Sequence, residues 1–261
     1  MNALRLFAVF FRVSVLNEAA YRVNFFVQVF QTLLELGTSL AGLAVIYSYT
    51  QSLGGWRPNE MLALVGIFFL VGGIIGLIIQ PGMSALIDAV RDGTLDFTLT
   101  KPEDAQLLAS IQKAAVWSLI DLLMGLGVLV AALVRMRTGL SAGQVVAFAA
   151  MLLAGSVIVY SFWLILASLS FWFVRVENLL EIFRSMYEAG RWPISIYPGW
   201  LRFGLTFLVP VAFATTVPAE ALTGRLGPGT LFLALAGAVG LFLLARLVWT
   251  LGLRRYSGAS A

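Results

Sequence analysis

The fold of this chain is decided around residues 86–102, which read LIDAVRDGTLDFTLTKP. This is a charged run in an otherwise apolar sequence, with three aspartates, one arginine and one lysine between long apolar stretches. A segment this polar must lie in water, and loops held by rigid elements are where proteins place many of their contacts. We therefore predict that it is a docking loop between two membrane spans.

The composition is that of a membrane protein. Hydrophobic residues make up 60% of the 261 positions and charged residues 11%, whereas soluble domains carry about 25% charged residues. Several apolar stretches are about 20 residues long, which is enough to cross a ~30 Å hydrocarbon core as a helix. The sequence therefore predicts an all-α polytopic membrane protein, with residues 1–261 forming a single transmembrane domain.

Several chemistries are excluded by residues that the sequence lacks. There is no cysteine and no histidine, which removes thiol chemistry, disulfides and most zinc sites. No phosphate-binding loop of the Gly-x-x-x-x-Gly-Lys-Ser/Thr type occurs, and the serines have no base partner for nucleophilic catalysis. The net charge of +4 comes from scattered Lys and Arg, so nucleic-acid binding is not expected. We predict no catalytic residue, no metal site and no cofactor bound by this chain.

Five apolar segments are predicted to cross the membrane, at about residues 25–48, 60–80, 100–134, 142–170 and 229–251. Residues 1–22 precede them as a predicted interfacial helix. Apolar side chains recur on one face of this segment, and Arg5 and Arg12, seven residues apart, lie on another face, where they can meet anionic headgroups. The alternative is that this segment simply extends the first span.

Residues 81–106 are predicted to form the docking loop. The segment 83–92 has apolar residues at helical spacing and carries Asp88, Arg91 and Asp92 on the opposite face, which indicates a short amphipathic helix. Gly93 is placed to end this helix.

The rest of the loop is predicted to lead directly into the third span. Thr100 and Glu103 match a capping box, so that the third span would begin at Thr100. The alternating Leu95, Phe97 and Leu99 are expected to seat the loop against the membrane helices.

Charged residues inside apolar surroundings are candidates for a transport pathway. A charge at the centre of a membrane helix costs about 2.5–3.5 kcal/mol and usually faces the protein interior. For Glu35 and Asp121, the alternative is a structural role in which a neighbouring polar side chain forms a hydrogen bond with the carboxylate where two helices pack. The segment 176–192 is either a fifth span that lines the bundle interior or a cytoplasmic loop, and in the second case residues from about 200 to 222 would form the fifth span. The pathway candidates are Glu35, Asp121, Glu177, Glu181, Arg184 and Glu188.

Residues 193–222 are predicted to form a broken, re-entrant segment. The sequence interrupts this apolar region with four prolines and two glycines. Broken helices at membrane depth persist only where protein or a water-filled cavity satisfies their free backbone groups.

Two segments resemble the membrane subunit of ABC-2 type exporters. The first is Arg91-Asp92-Gly93-Thr94-Leu95-Asp96 with Leu99-Thr100-Lys101-Pro102, which is similar to the coupling region of that family. The second runs from Gly190 through two prolines to Trp200-Leu201 and then to Pro210, and is similar to the family's Gly…Pro…Pro-x-Trp-Leu segment. Together they look like a bacterial subgroup that is paired with a daunorubicin-resistance-type ATPase.

The resemblance implies six transmembrane helices, a coupling helix between spans two and three, and re-entrant helices before span six. Residues 176–192 would then be the fifth span. The ATPase-coupling residues that it implies are Asp88, Arg91, Asp92, Gly93, Thr94, Leu95, Asp96, Lys101 and Pro102. The re-entrant residues that it implies are Gly190, Pro193, Pro198, Trp200 and Pro210.

The function implied by the resemblance is that of a permease subunit of an ATP-driven exporter. It would move a hydrophobic or amphipathic substrate of the drug, lipid or glycan class by alternating access. Implied partners are two ABC ATPase subunits, which would bind ATP and Mg, a second identical or related permease, and membrane lipid. The expected location is the bacterial inner cell membrane, with both termini cytoplasmic. The alternative is a secondary transporter or channel that uses the intramembrane carboxylates.

Overall fold

The computed structural model describes residues 3–19, 22–136, 141–173 and 176–256, and these residues are mainly α-helical. Short 3-10 turns (Val116–Ser118, Leu169–Phe171, Glu188–Arg191, Ile194–Ile196) and π turns (Ile75–Ile79, Gly204–Leu208) extend or connect the helices. The helices are α1 (Ala3–Ala19), α2 (Arg22–Tyr49), α3 (Pro58–Ile74), α4 (Gln80–Arg91), α5 (Asp96–Leu99), α6 (Ala105–Ile111), α7 (Leu119–Met136), α8 (Ala142–Ser168), α9 (Glu177–Tyr187), α10 (Gly199–Phe203), α11 (Val211–Ala214), α12 (Thr216–Leu222) and α13 (Pro228–Leu253).

The chain is an all-α polytopic membrane protein, as the sequence predicts. Among the described residues, five helical segments are long and apolar enough to cross a membrane. A further pair of segments, Gly199–Leu208 and Val211–Leu222, passes the same test together but is bent by 70° at the break between them. The five are Val23–Tyr49, Pro58–Arg91, Val116–Met136, Ala142–Phe171 and Pro228–Leu253.

The second span is one continuous helix of 34 residues, Pro58–Arg91, which we call the rod. It consists of α3, the π turn and α4. The prediction of a separate helix at 83–92 is wrong, because Pro81 lies in the first turn of α4 and does not end the rod. A proline lacks the N–H that would bond to the carbonyl four residues earlier. That carbonyl, of Leu77, instead accepts a hydrogen bond from the backbone N–H of Ala115 at 2.9 Å.

The third span begins later than predicted. Asp104, and not Thr100, is the N-cap residue, because its side chain accepts a hydrogen bond from the backbone N–H of Leu107 at 3.0 Å. The helix that it caps is the short α6, and the chain breaks again at 112–115 before α7. The backbone of this break is already used to satisfy the rod, which explains why one uninterrupted helix does not form here.

The rod packs closely on α7 through glycines. A Cβ atom at Gly73 would lie 2.6 Å from the backbone nitrogen of Leu122, and one at Gly125 would lie 2.3 Å from that of Leu70. Small residues at such positions let two membrane helices approach until their backbones touch. We call residues 58–74 the upper half of the rod and residues 75–91 its lower half. The upper half therefore packs tightly on α7.

Helix α9 runs beside the rod in the opposite direction. Tyr187 stacks on Phe68 of α3 with the ring centroids 4.9 Å apart. Further along the chain, Ile196 contacts Gly54 in the loop before the rod. The segment from α9 to this loop therefore follows the length of α3, which favours a fifth crossing over a loop outside the membrane. Helix α9 is not among the five apolar spans, because it is short and carries several charged residues.

The segment after α9 enters and leaves the bundle at the same end. It starts beside Gly54, reaches the middle of α8 where Phe213 meets Gly155, and returns to Arg225, which donates a hydrogen bond to the carbonyl of Gly55 at 2.9 Å. Gly54 and Gly55, which are neighbours in one loop, thus lie beside the start and the end of the segment. A re-entrant course of residues 193–222 stays a prediction, because the bent pair of helices is either a broken span or a re-entrant loop. We call the end of the bundle with the loop 50–57 the opposite end, and the end with residues 88–104 the charged end.

Helix α1 lies at the charged end. Its Ser14 hydroxyl accepts a hydrogen bond from the backbone N–H of Ala114 at 3.2 Å, and Lys101 lies over the ring of Phe10. The exposed Val9 and Val13 lie on the free surface of the helix. An interfacial position for residues 1–22 stays a prediction, and the side chains of residues 3–7 lie outside the described part of the structure.

Candidate functional site

The last turns of the rod carry the charged residues Asp88, Arg91 and Asp92, which we call the charged tip. Met83, Leu86 and Ile87 are buried against the other helices, whereas the charged side chains of the tip are about half exposed. Arg91 donates hydrogen bonds to Asp88 at 2.8 Å and to Asp92 at 3.1 Å. These three charges therefore form one small solvent-facing network at the tip, on the face where the sequence predicts contacts with a partner.

Gly93 turns the chain away from the tip. Its φ of +69° lies in the left-handed region that favours glycine. The carbonyl of Ala89 then accepts hydrogen bonds from the backbone N–H groups of Thr94 at 2.9 Å and Leu95 at 3.2 Å. This is the helix-ending role that the sequence predicts for Gly93.

The segment after Gly93 differs from the predicted alternating strand-like pattern. Because residues 96–99 form a helical turn, Leu95 and Thr98 point inward and are buried, whereas Phe97 is 75% exposed. The expectation that Phe97 seats the loop is therefore wrong. Asp96 is half-buried, and Thr94, Leu99, Lys101 and Pro102 are exposed.

A second ionic group lies behind the docking loop. Arg246 of α13 makes a two-point contact with the carboxylate of Asp104, at 2.5 and 3.1 Å. The guanidinium lowers the pKa of Asp104 below its ordinary value, so this carboxylate is ionised at neutral pH. The sequence analysis missed both residues, although an isolated arginine inside the apolar last span is a signal that could have pointed to Arg246.

A cavity of about 440 Å³ lies beside the π turn of the rod. It is bounded by α2, the rod, α7, the break at 112–115 and α9. The aromatic rings of Phe68, Phe69 and Tyr187 form part of its wall. The polar and charged residues that line it are Gln28, Glu35, Gln80, Ser84, Lys113, Ser118, Asp121, Arg184 and Glu188.

Four of the six predicted pathway residues meet in this cavity: Glu35, Asp121, Arg184 and Glu188. Glu181 is exposed on α9 but is not part of the cavity wall, and the side chain of Glu177 lies outside the described residues. The structure thus brings together acids from α2, α7 and the end of α9 that are far apart in the sequence.

Asp121 is held by two side chains of α2. Gln28 donates a hydrogen bond to its carboxylate at 3.1 Å, and the hydroxyl of the buried Thr32 donates another. The sequence analysis did not single out these donors. Gln28, Thr32 and Glu35 nevertheless recur at i, i+4 and i+7, which places them on one polar stripe of the first span.

Helix α9 separates apolar and charged residues on two faces. Leu180, Phe183 and Tyr187 are buried, and the hydroxyl of Tyr187 donates a hydrogen bond to the carbonyl of Phe68 at 2.8 Å. The charged face is exposed on the surface of the single chain. Glu188, in the 3-10 turn after Tyr187, pairs with Arg191 at 2.6 Å.

The predicted re-entrant residues occupy distinct positions. Gly190 is buried, and a Cβ atom there would lie 2.6 Å from the side chain of Val211. Pro193 and Pro198 directly precede a 3-10 turn and α10, whereas Pro210 lies at the break between the two bent segments. Trp200 is 76% exposed.

An ion pair lies at the opposite end of the bundle. Arg225, which follows residues 193–222, contacts the carboxylate of Glu60 at 2.5 Å and lies over the ring of Trp56. Buried side chains of α3, among them Met61 and Leu64, lie between Glu60 and the residues of the rod that line the cavity.

Comparison with known proteins gives one match. A family model described as "ABC-2 family transporter protein" matches residues 33–260, which is most of the chain. No curated protein and no solved structure matches the chain.

Proposed function

The chain belongs to the ABC-2 transporter family, and we propose that it is the membrane-spanning permease subunit of an ATP-driven exporter. The observation that carries this proposal is the rod, which joins the cavity to the charged tip without interruption. From Ile75 beside the cavity to Arg91 at the tip the helix is about 24 Å long at ~1.5 Å per residue. A force on the tip therefore reaches the cavity wall through one rigid element.

The energy is proposed to come from a separate protein. The chain has no phosphate-binding loop of the Gly-x-x-x-x-Gly-Lys type, so ATP and Mg would be held by two ABC ATPase subunits. They would dock on the exposed network of Asp88, Arg91 and Asp92 and on the loop that follows it. Each nucleotide state must favour one arrangement of the membrane helices for such coupling to work.

A second permease subunit is proposed to cover the charged face of α9. Arg184 and Glu188, with Glu35 nearby, are exposed on the single chain, and they would lie at membrane depth with 176–192 as the fifth span. Exposure of each charge to lipid would cost about 2.5–3.5 kcal/mol near the membrane centre. An identical or related permease would remove that cost and would enclose a pathway between two copies of the cavity.

The cavity supports the amphipathic class of substrate. Aromatic rings and charged groups line the same space, so a molecule with an apolar body and a polar group could contact both. In the proposed orientation the charged end lies in the cytoplasm with both termini, in a bacterial inner membrane. In that orientation the pair of Arg225 and Glu60 would lie at the outer side.

One observation favours a second candidate function. Glu35 and Asp121 share a cavity, and intramembrane carboxylates in a cavity can carry an ion or a proton. The chain would then be a secondary transporter or channel that needs no ATPase.

Co-purification tests the choice between the two functions. The tagged chain is purified from native membranes in mild detergent, and the associated chains are identified by mass. We expect an ABC ATPase in stoichiometric amounts, and we expect its loss from the variant Asp88→Asn/Arg91→Gln/Asp92→Asn. The matched control is Arg135→Gln, which removes an exposed charge at the opposite end. A permease that purifies without any ATPase, in the wild type as in the triple variant, contradicts the proposal.

A further inference from the structure

Arg246 holds the docking loop to the last span. It lies two turns before the end of α13. Its two terminal nitrogens donate hydrogen bonds to the two carboxylate oxygens of Asp104, at 2.5 and 3.1 Å, and one of them also donates to the side-chain oxygen of Gln106 at 2.8 Å. Two-point contacts between arginine and a carboxylate are strong and fix the relative orientation of both groups.

The same contact reaches two more helices. Asp104 is the N-cap residue of α6. Gln106 donates a hydrogen bond to the hydroxyl of Tyr160 in α8 at 3.2 Å, and this hydroxyl lies 2.8 Å from that of Ser110. The start of α6 and the last thirds of α8 and α13 are therefore joined through one polar group.

The position of α6 in the chain places this polar group between the docking loop and the cavity. On one side α6 continues into residues 92–103, the loop that would contact the ATPase. On the other side it continues into the break that contains Lys113 and Ala115, which line the cavity. Any displacement of the loop must therefore act on α6 before it reaches the third span.

The pair of Arg246 and Asp104 is only partly buried. The side chains of Arg246 and Asp104 remain 46% and 44% exposed. The pair can therefore break and form again without leaving a fully buried charge unpaired.

We infer that Asp104 and Arg246 are positioning residues that transmit the movement of the ATPase-facing loop to the last membrane span. This inference rests on the proposed function. Movement of the loop then reaches the membrane by two routes, through the rod to the cavity and through this pair to α13.

The test measures movement at the far end of α13 in the complex with the ATPase. The chain has no cysteine, so Gly229→Cys places a single thiol in the first turn of α13, where a Cβ atom meets open space. Its rate of reaction with a membrane-impermeant maleimide is compared without nucleotide and with ATP and vanadate. We expect a change of at least threefold, which falls to less than 1.5-fold in Asp104→Asn and in Arg246→Gln, on the order expected if most of the coupling is lost.

Further variants separate transmission from folding. The double variant Asp104→Asn/Arg246→Gln should be no worse than either single one, because both act through one contact. The exchange Asp104→Arg/Arg246→Asp should restore part of the response. The control Arg254→Gln removes an exposed charge near the end of the same helix and should leave the response unchanged.

The outcomes distinguish this inference from the proposed function. An ATPase that does not bind contradicts the proposed function and the inference with it. A complex that forms and hydrolyses ATP overturns the inference alone if the thiol of the parent protein shows no response. The same holds if Asp104→Asn and Arg246→Gln keep the full response.

Discussion

The two halves of the rod differ in what surrounds them. Residues 58–74 pack against α7 so closely that no methyl group fits at Gly66 or Gly73. Residues 75–91 contain a π turn and a proline, border a cavity of about 440 Å³ and end in an exposed charged tip. The second half is also packed in places, since a Cβ atom at Gly82 would lie 2.3 Å from the carbonyl oxygen of Ser110. It nevertheless supplies more of the residues of the rod that line the cavity than the first half does.

The difference in packing indicates that the two halves of the rod are not equally free to shift against their neighbours. Close packing has few alternative arrangements, because any shift of the upper half opens voids or causes overlap. The lower half has space beside it, and π turns often mark functional sites in helices. We therefore expect mutations in the upper half to change folding and mutations in the lower half to change coupling.

The largest expected effect is on the packed half. Gly125→Leu would place a Cβ atom 2.3 Å from the backbone nitrogen of Leu70, so the two helices must separate. We expect a loss of about 3 kcal/mol or more in the free energy of unfolding. Thermal unfolding of the purified protein in detergent measures this loss. Gly127→Leu on the same helix, where a Cβ atom meets nothing within 4 Å, should cost little. Equal destabilisation by both variants would show that the seam is not tight.

The second effect concerns the tip. Proline cannot adopt the φ of +69° found at Gly93, so Gly93→Pro should reorient residues 94–104 while the rod stays folded. We expect ATPase binding to weaken by about tenfold, or ~1.4 kcal/mol, in a binding titration with the purified ATPase. Gly93→Ala, which costs about 1 kcal/mol locally but preserves the path of the chain, should bind more tightly than the proline variant. Unchanged binding in Gly93→Pro would mean that the loop after the tip takes no part in docking.

The smallest effect is expected where residues 58–74 border the cavity. Tyr187→Phe removes the buried hydroxyl that donates to the carbonyl of Phe68 at 2.8 Å. The expected loss is about 1 kcal/mol in the free energy of unfolding. Thermal unfolding should show no shift for the control Tyr49→Phe, whose ring is 89% exposed. A shift as large as that of Gly125→Leu would show that this hydrogen bond matters as much for folding as the close contact between the rod and α7.

Much of the bundle could be predicted because apolar length is a local property. The spans at α2, α8 and α13 follow from runs of apolar residues, and the end of α4 follows from Gly93. The pathway residues were found because a charge in an apolar segment is conspicuous in sequence. Four of them share one cavity.

The errors arise where a distant partner decides the local structure. Pro81 predicts a break, but the freed carbonyl of Leu77 finds the N–H of Ala115, 38 residues further along the chain. Thr100 and Asp104 are both suitable N-cap residues, and only the position of Arg246 in the fold favours Asp104. The exposure of Phe97 depends on whether residues 96–99 form a helical turn, which four residues do not determine.

The central claim is that the charged tip of the rod is where an ATPase docks. The most direct test compares single cysteines at Asp92, on the tip, and at Tyr49, at the opposite end, in membranes that contain the co-expressed ATPase. A short crosslinker that joins a thiol to an amine should connect the ATPase to the Asp92→Cys variant and not to the Tyr49→Cys variant. A crosslink from position 49, or none from position 92 in a complex that still co-purifies, would contradict the account.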